Sequence, residues 1–298
     1  MIYLRNFYLQ SDEDELAFFK SFVRTCFTNC YPYRFFPDRI SELDFDDITI
    51  LCGSNGSGKS TLLNIIAEKL ELQRETIYNK TYFFDPYVDG CYYDLSIYDQ
   101  EEMREFMSIS RMITSDDVFN NIIKVRERND NLDFKRQVIF DEKTLLNSRG
   151  EHKGPRGFNA DDPKSIQKVL DYRDFSRLSA SQYVKRKIGE EERTYSNGEN
   201  GFRFFTDAIQ PGGLYLLDEP ENSLSPEMQL DLTQFIYTMA RSYKCQFVIA
   251  SHSPFILSIP HARIYNMDEN PVKICQWTEY ENVRVYYDFF KQHSEEFE

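Results

Sequence analysis

Residues 48–61, ITILCGSNGSGKST, have residue types and spacing suited to phosphate chemistry. An apolar run stops at Gly53, a Gly-x4-Gly-Lys-Ser pattern follows, and apolar residues at helical spacing come after Thr61. In a strand, glycine loop and helix of this kind, backbone N–H groups and the helix N-terminus bind phosphate. The pattern predicts a nucleotide site in which Lys59 reaches the β/γ-phosphates and Ser60 holds Mg²⁺. The alternative is a glycine turn before an ordinary helix.

The nucleotide contacts are expected in the loop and the first helical residues. These contacts are Gly53, Ser54, Asn55, Gly56, Ser57, Gly58, Lys59, Ser60 and Thr61. Aromatic residues upstream could stack on an adenine or pack in the core: Tyr31, Tyr33, Phe35 and Phe36. The predicted ligands are therefore a nucleotide and Mg²⁺.

Two acids and a histidine follow apolar runs further along the chain. LYLLDEP contains Asp218 and Glu219, and FVIASHSP contains His252. A nucleotide site needs a second anchor for magnesium and a group that orients the attacking water. We expect Asp218 to act on Mg²⁺, Glu219 to act as general base, and His252 to hydrogen-bond the γ-phosphate. The alternatives are solvated acids at a strand end and a structural histidine.

Local patterns predict the elements that position these residues. Residues 2–9 and 81–88 have the aromatic and aliphatic content of strands, and residues 12–27 have the spacing of a short helix. Residues 147–164 are rich in Gly, Pro and charge, which predicts a loop. Ser225, which precedes a proline, is expected to be a helix N-cap. Strands alternating with helices after a phosphate loop favour a parallel sheet covered on both faces.

Composition excludes several classes of protein. The 298 residues are 41% hydrophobic, and no run approaches the ~20 apolar residues of a membrane span. The first residues, MIYLRNFYLQSDEDE, carry charges where a signal peptide needs an apolar stretch. Six cysteines without a C-x-x-C pattern suggest packed, reduced thiols. The sequence therefore predicts a soluble, cytoplasmic protein.

Charge is distributed unevenly along the chain. The net charge of −14 argues against non-specific binding to nucleic acid, whose phosphates attract positive surfaces. Residues 104–193, however, carry 19 Lys and Arg against 16 Asp and Glu, a net of +3 that leaves −17 for the rest. We therefore expect the middle of the chain to present a different surface from the remainder.

Taken together, the motifs resemble those of the ATP-binding-cassette (ABC) ATPases. GSNGSGKST matches Walker A, YSNGE (195–199) resembles the LSGGQ signature, and LYLLDEP matches Walker B. ENSLSP resembles the D-loop, and ASHSP carries the switch histidine. DEPENSLSP and ASHSP are most similar to the soluble, SMC-like and OLD-like branch of predicted ATPases. The resemblance covers about residues 1–70 and 193–290.

The resemblance implies an α/β P-loop NTPase of ABC type, with a mainly parallel sheet core and an inserted, mostly helical lobe. The expected divisions are 1–70 for the first part of the core, 71–195 for the lobe, and 196–298 for the rest of the core. It also implies that two copies sandwich two ATPs, with Ser196 and Gly198 of each completing the other's site. No glutamine lies in a convincing Q-loop setting; residues 114–116 have the right position.

Several functions stay open at this point. The main hypothesis is an ATP-hydrolysing, dimerising switch that controls an effector protein, with a defence role by association alone. A DNA-binding, SMC-like repair ATPase is favoured by the basic middle lobe and disfavoured by acidity and the missing coiled coil. A transporter energy subunit and a nucleotide sensor with little turnover are further alternatives.

Overall fold

The computed structural model describes residues 1–22, 26–27, 29–149, 177–188 and 197–297. The chain divides into two compact units, which we call unit 1 and unit 2. Unit 1 comprises Met1–Asn120 with Ser196–Glu298, and unit 2 comprises Asn121–Tyr195.

The strands lie in unit 1. They are β1 (Leu4–Tyr8), β2 (Glu42–Asp44), β3 (Ile48–Cys52), β4 (Tyr92–Leu95), β5 (Arg111–Thr114), β6 (Leu214–Asp218), β7 (Gln246–Ala250), β8 (Arg263–Asn266) and β9 (Lys273–Ile274).

The helices occur in both units. They are α1 (Asp12–Ser21), α2 (Lys59–Lys69), α3 (Phe84–Asp89), α4 (Gln100–Ile109), α5 (Ser115–Arg149), α6 (Ala180–Lys187), α7 (Asn197–Ala208), α8 (Pro226–Ser242), α9 (Pro254–Leu257) and α10 (Glu281–Gln292). Short 3₁₀ turns cover Pro220–Ser223, Trp277–Glu279 and Ser294–Phe297. Within the described ranges, every helix is too short or too polar to cross a membrane.

A six-stranded sheet in the order β5-β6-β7-β3-β8-β9 forms the centre of unit 1. All neighbouring pairs are parallel except β8 with β9. One row of paired residues runs from Leu51 through Ala250 and Asp218 to Thr114. The carboxyl ends of four strands therefore meet at one edge, where ligands bind in open parallel sheets. This confirms the predicted mainly parallel α/β core.

Burial on both faces explains why these strands read as continuous apolar runs. Every residue of β3 and β7 is buried, and α2 and α8 pack against the sheet. Helix α8 begins as the sequence predicted, with the Ser225 hydroxyl accepting from the Met228 N–H. Helix α2 packs on β6 and β7, and the Ser60 hydroxyl in its first turn donates to Asp218 at the end of β6.

A second, antiparallel sheet in the order β2-β1-β4 joins the main sheet through the buried amide of Gln246. Its Oε1 accepts from the Tyr3 and Leu4 N–H groups, and its Nε2 donates to the Leu4 and Asp46 carbonyls. Because all these polar groups are satisfied, the amide can be buried at little cost. Both sheets then share one apolar core.

Two features differ from the sequence expectations. The first division falls at 121 rather than 71, because β4 pairs with β1 and β5 pairs with β6. The predicted strand at 81–88 is wrong, since α3 occupies most of it. Residues 83, 84, 87 and 88 are all buried, which is the spacing of a helix face and not of a strand.

The described part of unit 2 contains α6 and the continuation of α5. Tyr183 and Val184 of α6 are buried. The buried Lys143 ammonium of α5 donates to the Leu178 carbonyl at 2.5 Å and to the Ser179 carbonyl at 3.3 Å. The predicted loop at 147–164 begins inside α5, and from residue 150 it lies outside the described residues.

Candidate functional site

The phosphate loop joins the end of β3 to the start of α2, as the sequence predicted. Lys59 is 4% exposed, and its ammonium donates to the Gly53 carbonyl at 2.7 Å and the Ser54 carbonyl at 3.1 Å. The loop's own carbonyls therefore bind the ammonium group that a phosphate would attract. A nucleotide would have to replace these two acceptors.

Two glycines of the loop adopt backbone conformations that disfavour side chains. Gly56 has a φ of +83° and Gly58 a φ of +103°. A Cβ at Gly58 would also lie 2.3 Å from Cε1 of Phe35, whereas nothing lies within 4 Å of a Cβ at Gly56. At Gly58, but not at Gly56, close packing of the Phe35 ring therefore disfavours a side chain in addition to the backbone conformation.

Contacts from the end of β8 support the other side of the loop. The Ser54 N–H and hydroxyl both donate to Asp268, with the hydroxyl at 2.6 Å. Arg39 donates to the Ser57 and Met267 carbonyls. Ser54 therefore faces Asp268, and its role as a nucleotide contact stays a prediction. Sequence reasoning missed Asp268, whose one signal was an acid after a strand.

Ser60 and Asp218 meet at the centre of the site. The Ser60 hydroxyl donates to Asp218 Oδ1 at 2.9 Å. Burial raises the pKa of Asp218 to about 6; the Glu219 charge acts in the same direction, while the hydrogen bond from Ser60 opposes both. A hydroxyl and a carboxylate are ligands that Mg²⁺ prefers, and a cation would stabilise the charged form of this acid. The pair therefore fits the predicted metal site.

Glu219 follows Asp218 in a left-handed conformation, with φ 48° and ψ 52°. Its N–H donates to the Ala250 carbonyl at 2.9 Å, and Asn222 Nδ2 donates to its Oε2 at 2.8 Å. Such a conformation costs a non-glycine residue about 1–2 kcal/mol. The turn and these bonds together direct the carboxylate to the mouth of the cleft.

His252 follows β7 and lies near two carboxylates. Its Nδ1 is 4.0 Å from Glu219 Oε1 and 3.8 Å from Glu221 Oε1. Glu221 is 6% exposed and accepts from the Ser251 hydroxyl and from the His252 and Ser253 N–H groups. Sequence reasoning placed Glu221 in the D-loop and gave it no role, because these contacts join segments about 30 residues apart.

These side chains border an open cleft of about 420 Å³. It is lined by Phe35, Asn55, Gly56, Gly58, Lys59, Ser60, Thr61 and Glu219. One wall is the predicted phosphate loop, and the other is the predicted general base. The cleft can therefore hold a phosphate chain between a lysine and a glutamate.

The candidate aromatic residues have different fates. Tyr33 and Phe36 are buried, at 4% and 1% exposure, so they cannot stack on a ligand. The Tyr31 hydroxyl donates to Thr61 Oγ1 at 2.9 Å. Phe35 alone of the four lines the cleft.

Two predicted regions are only partly described. Tyr195 and Ser196 lie outside the described residues, and Asn197 and Gly198 begin α7. Thr114, at the proposed Q-loop position, ends β5 opposite Asp218, and its hydroxyl donates to Asp117.

Known families match the segments that build this site. A profile described as ABC transporter matches residues 41–222, more than half of the chain, and one described as AAA ATPase domain matches residues 199–257. This chain belongs to the ABC family of ATPases. Membership confirms the resemblance drawn from the motifs, and the family binds ATP.

Individual relatives of this ABC ATPase are distant. The ATP-binding protein TupC of a tungstate uptake system in Campylobacter jejuni is 23% identical over 269 residues, which cover 84% of this chain and 67% of TupC. The Smc head domain from Pyrococcus furiosus, bound to the C-terminal domain of ScpA, has a TM-score of 0.44 and 11% identity over 98% of this chain and 99% of that one. The MJ0796 cassette, a dimer bound to ADP and Pi, has a TM-score of 0.36 and 15% identity over 82% and 92%.

Proposed function

We propose that this chain is an ATP-hydrolysing switch whose two copies close on ATP. The observation that carries the proposal is the position of Glu219, which lines the cleft beside the Ser60–Asp218 pair. A carboxylate there can orient a water for in-line attack on a γ-phosphate and accept its proton. ADP and phosphate are the products.

Each residue has a defined task in this mechanism. Lys59 exchanges two backbone acceptors for the β/γ-phosphates, and Ser60 and Asp218 would hold magnesium. The metal supplies charge neutralisation on the phosphates. Asn222 fixes one oxygen of Glu219, which leaves Oε1 for water. Phe35 is the candidate for contact with adenine.

The dimer is supported by the sequence of the signature. Gly198 lies in the first turn of α7, and a helix of this length presents N–H groups and a positive end to an anion. We propose that Ser196 and Gly198 meet the γ-phosphate bound by the partner. An effector partner and a defence role rest on the resemblance of DEPENSLSP and ASHSP alone, and a cytoplasmic location rests on the composition of the sequence.

Glu219→Gln tests the catalytic and dimer proposals together. Turnover should fall by roughly 10² or more, the scale of a positioned general base, while ATP affinity stays near the parent value. Uncleaved ATP with Mg²⁺ should then hold a dimer, seen by size measurement, that Ser196→Arg on the same background disrupts. The matched control is Glu227→Gln, because Glu227 is exposed on α8.

Each other outcome removes one part of the proposal. A Glu219→Gln protein that stays monomeric at saturating ATP contradicts the composite site. One that dimerises and hydrolyses at the parent rate keeps the dimer and moves the catalytic role elsewhere. A parent protein that binds ATP with negligible turnover is a nucleotide sensor instead.

A transporter energy subunit is the second candidate, favoured by the similarity to TupC. Such a subunit needs a membrane-embedded partner. Purification from native cells distinguishes the two functions: the energy subunit is recovered with the detergent-solubilised membrane fraction, and the switch is recovered without it.

A further inference from the structure

Glu221 has an environment that the proposed mechanism does not use. It lies in the turn Pro220–Ser223, and one oxygen, Oε1, accepts from the Ser251 hydroxyl at 2.8 Å, the His252 N–H at 2.9 Å and the Ser253 N–H at 3.2 Å. A buried carboxylate is costly unless hydrogen bonds compensate for lost water. All three of these hydrogen bonds fall on one of its two oxygens.

The second oxygen has a complementary neighbour. Among the described residues, Glu221 Oε2 and His252 Nδ1 are both buried atoms without a hydrogen-bond partner. A carboxylate oxygen only accepts, and a ring nitrogen can carry a proton to donate. Nδ1 lies 3.8 Å from Oε1 of the same carboxylate, and a movement of the ring toward Oε2 would satisfy both atoms.

We propose that Glu221 is the positioning residue for His252. Its carboxylate accepts Nδ1–H when nucleotide is bound, which fixes the ring; with both ring nitrogens protonated, Nε2–H donates to the γ-phosphate. Carboxylates set the orientation and tautomer of histidines in this way in other sites. The proposal rests on the proposed function, because the γ-phosphate contact has meaning only in an ATP site.

Glu219 is a poorer partner for the histidine. Asn222 holds its Oε2 at 2.8 Å, and its Oε1 is 4.0 Å from Nδ1. A bond from His252 to that oxygen would also occupy the atom that a water needs. The two glutamates therefore have separate tasks: Glu219 faces the cleft and Glu221 faces the histidine.

A double-mutant cycle on turnover tests the proposal. Glu221→Gln should lower kcat by roughly 10- to 100-fold, the usual cost of losing such a partner, with ATP affinity within a few fold of the parent. His252→Ala should also lower kcat, and the double variant should be no slower than His252→Ala alone, because the two residues act as one unit.

Glu227→Gln is the matched control, because it makes the same substitution at an exposed glutamate of α8. We expect parental turnover in this variant. Losses that multiply in the double variant, parental turnover in Glu221→Gln, or a Glu227→Gln loss equal to that of Glu221→Gln would each overturn the proposal.

A second measurement does not depend on the folding of any Glu221 variant. The chain has 4 histidines, so His252 can be assigned in an ¹⁵N spectrum by comparison with His252→Ala. With Mg²⁺ and a non-hydrolysable ATP analogue, both ring nitrogens should be protonated; an unprotonated Nδ1 would overturn the proposal. This spectrum also distinguishes failure of the proposed function from failure of the Glu221–His252 proposal. A parent protein without turnover refutes hydrolysis, and the Glu221–His252 pair can still be tested in it.

Discussion

Gly58→Ala should destabilise unit 1 more than Gly56→Ala, although both residues belong to one loop. Both have positive φ, so an added Cβ meets similar backbone strain at either position. At Gly58 the new atom would also lie 2.3 Å from a ring atom of Phe35, while at Gly56 it meets open space. Gly56 is thus a matched control within the same loop.

The expected magnitudes follow from these two contributions. Backbone strain alone costs about 1–2 kcal/mol for a residue with a side chain in the left-handed region. Displacing a packed ring adds about 1–3 kcal/mol. Gly58→Ala should therefore lower the free energy of unfolding by roughly 2–5 kcal/mol, and Gly56→Ala by roughly 1–2 kcal/mol.

Urea unfolding measured by tryptophan fluorescence reports the difference. The chain has 1 tryptophan, Trp277, which lies in unit 1 with the loop. On a Phe35→Ala background, Gly58→Ala should cost only the backbone strain, because the colliding ring is absent. Equal losses for Gly56→Ala and Gly58→Ala, with no relief by Phe35→Ala, would refute the packing of Phe35 on this glycine.

Two further predictions concern binding. Lys59→Ala should abolish ATP binding in a fluorescent-nucleotide titration, because the phosphates lose their principal positive charge, and an affinity within a few fold of the parent would remove Lys59 from the site. The DNA-binding alternative predicts that labelled duplex DNA binds in a salt-dependent way, which raises its fluorescence anisotropy. Charge reversal at 185–187, on the exposed side of α6, should weaken this binding and leave ATP turnover unchanged. If neither DNA nor partner binding changes, the basic middle lobe is not the functional contact.

Local patterns predicted the elements that build the site. The loop between β3 and α2, strands β6 and β7, and the cap at Ser225 all follow from apolar runs, glycines and capping residues close in sequence. The residues that determine each of these elements lie within about a dozen positions of one another, which is the range over which periodicity and capping act. Prediction succeeded where the cause was local.

The segment 81–88 shows where local patterns fail. Its aromatic residues favour a strand by propensity, yet it forms α3, since Phe83, Phe84, Tyr87 and Val88 all bury in the core. Pro86 is tolerated because it lies in the first turn, where its missing N–H has no intrahelical partner. Tertiary packing decided between two locally acceptable states.

Contacts between distant segments could not be predicted. Asp268 binds Ser54 across 214 positions of sequence, and Phe35 packs on Gly58 from an irregular segment. The acids of the Walker B segment show the same limit. DEPE presents two glutamates of equal chemistry, and only the fold exposes Glu219 to the cleft and buries Glu221.

This difference in burial determines which parts of the site must rearrange when a nucleotide binds. Lys59 and Ser60 are held by the Gly53 and Ser54 carbonyls and by Asp218, and phosphate and magnesium would replace these partners. Residues 251–253 instead donate three hydrogen bonds to one oxygen of the buried Glu221, and the proposed mechanism leaves these bonds in place. Separating the segment of Glu219 from that of His252 would leave the buried Glu221 carboxylate without donors, at a cost of several kcal/mol. The backbone segments that carry Glu219 and His252 are thus held together before nucleotide binds, and the His252 ring and the phosphate-binding side adapt. Preorganised polar groups of this kind avoid reorganisation during the reaction.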